Sequence, residues 1–282
     1  APALLLITVF FFLPVFAALL LSFTDFDIYA LGDLDRLRFV GFSNYLQLLQ
    51  SPLFWTALGN TFYFVVVGGP LSVAVSLGAA LLVNSRLTRF PGFFRAAFFL
   101  PVVTTLVAVA VVWRYLYHPH YGVLNYGLHL LGIAPIDWLG DPVWAMPAII
   151  LLAVWKNFGF NMIIFIAGLQ NIPPQLYEAA RIDGTSAWRQ FRYLTLPLLG
   201  PTFLFVALMT MIGYFQVFAE PYVMTQGGPA NRTLSVVLLM YEEGFRWWNM
   251  GYASATAFVL FALILAATLL QLKLRRRNAL ER

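Results

Sequence analysis

The chain has 282 residues, 61% hydrophobic and only 10% charged, with a mean hydropathy of +0.80. Soluble domains carry about 25% charged residues, so this composition excludes an ordinary water-facing surface and points to an all-α integral membrane protein. The absence of cysteine excludes disulfides and thiolate metal sites. The formal net charge of +5 sits in short loops and at the C-terminus, which suits lipid headgroups and topology rather than nucleic acid.

Six apolar segments follow in chain order, near 2–24, 57–83, 94–117, 143–168, 198–222 and 250–273. Each is read as a helix, because a span takes about 20 apolar residues and loose backbone cannot be satisfied in lipid. The chain begins at Ala1 without Met or a charged lead-in. Its first apolar run is too long for a signal-peptide core and ends in a poor cleavage site, Ser22 to Asp25, so it is read as a retained span. Pro14, Gly68-Gly69-Pro70, Pro101, Gly159 and Gly213 predict kinks within the spans.

The loops set the orientation. One set carries Arg86, Arg89 and Arg95, then Arg181, Arg189 and Arg192, then Lys273, Arg275, Arg276, Arg277 and Arg282. The opposite set carries only Arg36, Arg38, Arg232 and Arg246, beside Asp25, Asp27, Asp33, Asp35, Asp137, Asp141, Glu242 and Glu243. The excess of Lys and Arg predicts that the first set, and with it both termini, lies in the cytoplasm. The opposite loops hold Tyr121, Trp138, Trp144, Tyr241, Phe245, Trp247 and Trp248. These read either as an interfacial belt or as a docking surface for a soluble partner.

The connector 171–197 is longer than a turn requires. Pro173 and Pro174 suit the first turn of a helix, the stretch from Leu176 to Ile182 is a short helix, and Gly184 ends it as a C′ glycine with φ > 0. Thr185 or Ser186 caps a second short helix carrying Trp188, Phe191 and Arg192, and Pro197 starts the next span. The pattern predicts a rigid helix–turn–helix knob at the membrane surface. Two readings stay open: an interfacial anchor for the bundle, or a helix laid into a groove on a partner.

Glu178-Ala179-Ala180, three residues, Gly184, nine residues and then Leu194-x-Leu196-Pro197 resemble the Glu-Ala-Ala loop of ATP-binding-cassette importer permeases, with Leu194 in place of Ile. The string from Tyr177 to Gly184 is similar to the carbohydrate-uptake branch, of the maltose and glycerol-3-phosphate type. The segments Phe93 to Pro101, Gly227 to Pro229 and Gly251 to Ala255 resemble one permease subunit of that branch. The resemblance implies a six-span permease in a bacterial or archaeal cell membrane, importing a sugar or sugar-like solute. It implies that residues 176–190 form a coupling helix seated on an ATPase subunit, with Tyr177, Glu178, Ala179, Ala180, Arg181, Asp183 and Gly184 at that contact. The implied partners are a second permease subunit, an ATPase pair and an extracytoplasmic solute-binding protein, with membrane lipids around them.

ATP chemistry has no place in this chain. The only lysines are Lys156 and Lys273, and neither stands in a phosphate-cradling G-x-x-x-x-G-K-[ST] loop. No cofactor is expected here, and ATP and Mg belong to the partner ATPase. His118, His120 and His129 lack adjacent ligand partners and are read as interfacial side chains rather than a metal site. A secondary transporter or channel working without ATP is the alternative, and it would leave 171–197 dispensable. Lys156, in mid-span, is the one clear candidate for a buried charge, as a substrate or interface partner. No nucleophile–base or metal set supports a membrane enzyme.

Residues one helical turn apart share a face. Ala153, Asn157 and Phe160 do so in the fourth span, with Asn161 beside Asn157. Thr210, Gly213, Tyr214 and Val217 do so in the fifth, with Gln216 on a neighbouring face. The resemblance implies a solute pathway here, lined by Asn157, Phe160, Asn161, Thr210, Gly213, Tyr214 and Gln216. The alternative is that Asn157, Thr210 and Tyr214 bridge helices.

Overall fold

The computed structural model describes residues 2–27, 37–85 and 87–280, and the side chains of those up to 274. Asp33, Asp35, Arg36, Arg86 and Arg282, and the side chains of Arg275, Arg276 and Arg277, on which the charge asymmetry partly relies, lie outside this description. In chain order the helices are α1 (Pro2–Leu21), α2 (Ser43–Gln50), α3 (Pro52–Val83), α4 (Pro91–Val103), α5 (Leu106–Leu116), α6 (Val123–Leu130), α7 (Ala145–Gln170), α8 (Pro174–Ile182), α9 (Ala187–Leu198), α10 (Gly200–Phe215), α11 (Ala219–Met224), α12 (Val236–Tyr241) and α13 (Met250–Leu280). Among the described residues the β pairing amounts to an isolated bridge between Thr24 and Phe39.

Four helices, α1, α3, α7 and α13 through Leu274, are each long and apolar enough to cross a membrane. Two bent pairs meet the same criterion together: α4 with α5, at 99°, and α9 with α10, at 69°. The expected segments 94–117 and 198–222 are thus not single straight helices. Pro101 lies inside α4, and the break comes after it at Thr104–Thr105. Pro197 does not begin a span but lies inside α9, two residues before the bend.

At Gly159 and Gly213 the helix does not break, and α7 and α10 run continuously through them. Prolines act differently. Pro14, Pro70 and Pro197 each follow a widened turn, at Thr8–Phe12, Phe64–Gly68 and Phe191–Thr195. A proline has no N–H for the carbonyl four residues back, and its ring crowds that carbonyl. Those carbonyls belong to Phe10, Val66 and Tyr193, all within the widened turns. Leu13 N–H reaches back five residues to Thr8 O, and Leu196 N–H to Phe191 O, so the helix continues without a break.

The chain divides into two compact units, Ala1–Phe62 with Phe215–Arg282, and Tyr63–Tyr214. In the first, α13 packs on α1, α2 and α12. Buried Asn44 donates its amide to Ser22 O (2.9 Å) and Thr24 O (2.8 Å), and Gly251 N–H donates to Phe26 O (3.1 Å). Beside α1, Asp25 takes the Arg38 N–H at 2.8 Å and its Nε at 2.9 Å. The Arg38 backbone bond, aided by the guanidinium and outweighing a small burial cost, holds the Asp25 carboxyl below its ordinary value. This clasp is therefore intact at neutral pH and opens only as pH falls through that lowered value.

In the second unit, α7 is the central helix, with α3 and α4 packed on it. Its core joins Val73, Ala80 and Val83 of α3 to Met162, Phe165, Ile166 and Leu169 of α7 and Val206 of α10. Gly159 lets α4 approach α7 backbone to backbone: a Cβ there would stand 2.0 Å from Phe98 O. Gly168 makes room for a side chain of α10, since a Cβ there would stand 2.6 Å from Thr202 Oγ1. Small residues at helix crossings are how apolar bundles gain contact where lipid offers no hydrophobic drive.

Helix-interior Gly→Ala ordinarily stabilises by about 0.5–1 kcal/mol. Gly78→Ala, in open space, should follow that rule, whereas Gly159→Ala should lose about 1–3 kcal/mol through overpacking. Thermal unfolding of the two variants in detergent checks this, and equal midpoints would reject the close-approach reading of Gly159.

Candidate functional site

The connector read from sequence as a knob is built from α8 and the start of α9. Proline at N1 of α8 costs no hydrogen bond, since its N–H would have no partner in the first turn. At the other end Gly184 stands at φ +71°, a conformation that favours glycine. Thr185 N–H donates to Ala180 O and Gly184 N–H to Arg181 O, both at 3.0 Å, which is the paired bonding of a Schellman stop. The expected hydroxyl cap on the next helix does not form. Ser186 occupies the N-cap without a side-chain bond, and the Thr185 hydroxyl turns back to Ala180 O. Gln190 Nε2 then closes on Thr185 O at 2.9 Å, so the turn is braced from both sides.

One face of the knob is tied down and the other is bare. Tyr177 packs against the core of α3, α7 and α10, and its hydroxyl lies 2.9 Å from Thr195 Oγ1. Glu178, Ala179, Arg181, Asp183 and Gly184 are exposed, and Ala180 is half-buried. Ile182 is 86% exposed and Trp188 66%, an apolar surface left open on a short turn. Sequence reading placed Tyr177 with the exposed contact residues, while its ring faces inward; its place one turn before Arg181 gave no sign of which way it points.

The pathway residues divide. Asn161 Nδ2 donates to Thr210 Oγ1 at 3.0 Å with both residues buried, joining α7 to α10. Tyr214 is buried against Phe64, ring centroids 4.9 Å apart, and closes over Gly68. Asn157 is half-buried and donates to Ala153 O of its own helix at 3.0 Å. Phe160, Gly213 and Gln216 are exposed, Gln216 lying just past α10 in the other unit. The meeting of residue 161 with 210 and of 168 with 202 makes α7 and α10 antiparallel. One turn beyond the Asn161–Thr210 bond, Asn157 therefore comes level with Gly213 and Tyr214.

Lys156 has a partner that sequence did not reveal. Its Nζ donates to Pro101 O at 2.7 Å and Val102 O at 3.1 Å, at the C-terminal end of α4. The last carbonyls of a helix lack intrahelical donors and carry its negative pole, and the break at Thr104–Thr105 leaves these two in apolar surroundings. The ammonium caps them, with the Thr104 hydroxyl also donating to Pro101 O at 2.7 Å. Among the described residues no group of three or more His, Asp or Glu side chains could hold a metal ion.

Lys156→Met keeps the stem and removes the ammonium. It should lower stability by about 1–3 kcal/mol, the cost of an unpaired buried carbonyl, with Lys156→Arg intermediate. Thermal unfolding in detergent measures this, and a Met variant as stable as the parent would reject the capping role.

Comparison with known proteins adds the following. Residues 72–279 match the family described as binding-protein-dependent transport system inner membrane component. The chain is 39% identical over 276 residues to the lactose transport system permease protein of Rhizobium radiobacter, covering 96% of this chain and 90% of that protein. It is 36% identical over 278 residues to the trehalose/maltose transport system permease protein of Thermococcus litoralis, covering 98% and 91%. Its fold matches a chain of a bacterial alginate ABC transporter solved in complex with an alginate pentasaccharide-bound periplasmic protein. The TM-score there is 0.84 at 22% identity, over 98% of this chain and 92% of that one.

Proposed function

This chain belongs to the family of binding-protein-dependent transport system inner membrane components, and from that premise we propose that it is one permease subunit of an ATP-binding-cassette importer for a sugar or sugar-like solute. The solute class rests on the relatives, whose names give lactose and trehalose/maltose. Its partners are an extracytoplasmic solute-binding protein, a second permease subunit that completes the pathway, and a separate ATPase pair that holds ATP and Mg. The whole chain is one permease domain. Each bent helix pair counts as one span, giving six, with the arginine-rich loops and both termini in the cytoplasm.

The observation that carries the coupling role is the division of the knob into a tethered face and a bare one. Tyr177 fixes α8 to the core that holds α7 and α10 together, while Ile182 and Trp188 stand open beside Glu178, Arg181 and Asp183. A short helix with exposed apolar side chains needs a groove to cover them. A partner that grips the bare face moves α8 as a body, because its Schellman stop and the Gln190 brace leave the turn little freedom. The motion passes to α7 and α10 and switches the bundle between inward- and outward-facing states. In this reading the solute passes beside Asn157, Phe160 and Gly213, and Asn161, Thr210 and Tyr214 hold that wall in register.

Two variants test the coupling. Gly184→Pro removes the N–H that bonds Arg181 O and forbids the positive φ. Glu178→Lys reverses a charge on the bare face. Both should abolish co-purification of the ATPase pair and ATP-dependent sugar uptake in proteoliposomes. Full assembly and uptake in both would overturn the coupling assignment. In the pathway, Asn157→Ala should cut uptake several-fold with basal ATPase activity intact, and unchanged uptake would remove that assignment.

A further inference from the structure

Between α5 and α7 the chain makes an elaborate cap, residues 117–144, that neither the coupling role nor the in-span pathway uses. Its organiser is Asn125, which is buried and bonded at both ends of its amide. Nδ2 donates to Pro119 O (3.0 Å) and Ile136 O (2.8 Å), and Oδ1 accepts Ile136 N–H (3.1 Å) and Trp138 Nε1–H (3.0 Å). One side chain thus clips the turn after α5 to the stretch before Trp138. Tyr117 is 1% exposed, donates its hydroxyl to Ala148 O at 2.8 Å, and lies between the rings of Trp113 and Trp138. Gly122 is required, because a Cβ there would stand 2.4 Å from Leu116 O. A satisfied buried network of this kind fixes a single arrangement.

The cap holds two adjoining cavities, of about 390 and 360 Å³, separated by a ridge of Pro119 and Tyr121. The first offers Arg114, Tyr115, His118 and Asp137. The second offers Tyr126 and His129. Tyr121 borders both, its ring stacked on His118 with centroids 3.3 Å apart. Asp137 is oriented by Gly140 N–H, which donates to Oδ1 at 3.0 Å.

We propose that this pair of cavities is a saccharide-binding site on the extracytoplasmic face of the permease, separate from the in-span pathway, where two linked sugar rings rest before passage. The proposal rests on the sugar-importer reading above. A pyranose presents apolar C–H faces, which rings such as Tyr121 and Tyr126 receive, and pairs of vicinal hydroxyls. A guanidinium fork donates to two neighbouring oxygens at once, and a carboxylate accepts from two neighbouring hydroxyls. Arg114 and Asp137 in one cavity supply both functions. Each cavity lies within the size range of small-molecule sites, roughly 300–1,000 Å³, and each is large enough for one sugar ring. The ridge residue common to both places the two rings side by side, as in a disaccharide or longer chain.

The test uses the importer assembled from this chain, its second permease and the ATPase pair, in nanodiscs without the solute-binding protein. Uptake by complete proteoliposomes is first measured for lactose, maltose, trehalose and raffinose. If none is taken up, the sugar-importer reading fails, and this site fails with it. For a sugar that is taken up, saturation-transfer NMR titrates it against the nanodiscs, with every form carrying Asn157→Ala so that pathway binding is weakened. Arg114→Gln combined with Asp137→Asn should weaken half-saturation about ten-fold or more, the loss of charge-assisted hydrogen bonds. Tyr121→Ala should also weaken it, and because Tyr121 is exposed this variant serves if the double variant does not assemble. Unchanged titration in assembled variants overturns the site. So does the absence of any sugar signal despite uptake.

Discussion

The close approach of α4 to α7 at Gly159 is the constraint on which the larger of the two apolar assemblies depends. With a Cβ position 2.0 Å from Phe98 O, the two backbones touch without side chains between them. That contact brings the end of α4 within reach of Lys156, one turn away on α7. A helix that stops inside an apolar layer strands its last carbonyls, and water is not there to take them. The ammonium is the donor that makes the stop possible, so glycine and lysine three residues apart on α7 together permit the 99° bend between α4 and α5.

The same helix supports the knob. Gly168 admits α10, the Asn161–Thr210 bond fixes its register, and Tyr177 ties the knob to the shared core. From the exposed tip at Ile182 to the level of Asn157, each link is therefore either a backbone contact, a hydrogen bond between buried groups or a packed ring. In the coupling role proposed for the knob, such stiffness would convert a push at its bare face into a change in the proposed pathway. Bistable rigid bodies transmit displacement, and compliant ones absorb it.

Much of this was legible in the sequence. The apolar runs marked the helices, and Gly184 marked the stop of α8, because a positive φ at a helix end leaves a residue-level sign. The Glu-Ala-Ala spacing pointed to the family that the comparisons then established. What stayed hidden was pairwise. A glycine in a span reads the same whether it kinks the helix or admits a neighbour, so the close approach of α4 at Gly159 could not be read from sequence. Lys156 could be recognised as costly but not matched to Pro101 and Val102, 55 and 54 residues away. Thr185 looked like a cap for the helix after it and instead closes the helix before it. Nor did the sequence show that a widened turn would precede Pro14, Pro70 and Pro197 and carry the helix past each of them.

The central claim is that the knob and the helix pair behind it move as one body. The chain has no cysteine, so Ile182→Cys on α8 and Ile163→Cys on α7, labelled before assembly with the other subunits, place two spin labels at chosen sites. Pulsed dipolar spectroscopy of the assembled importer then gives the distance between them in the nucleotide-free and ATP-trapped states. The account predicts one narrow distribution with the same centre in both. A shifted or markedly broadened distribution on ATP binding would show the knob flexing independently of the pathway and would contradict it.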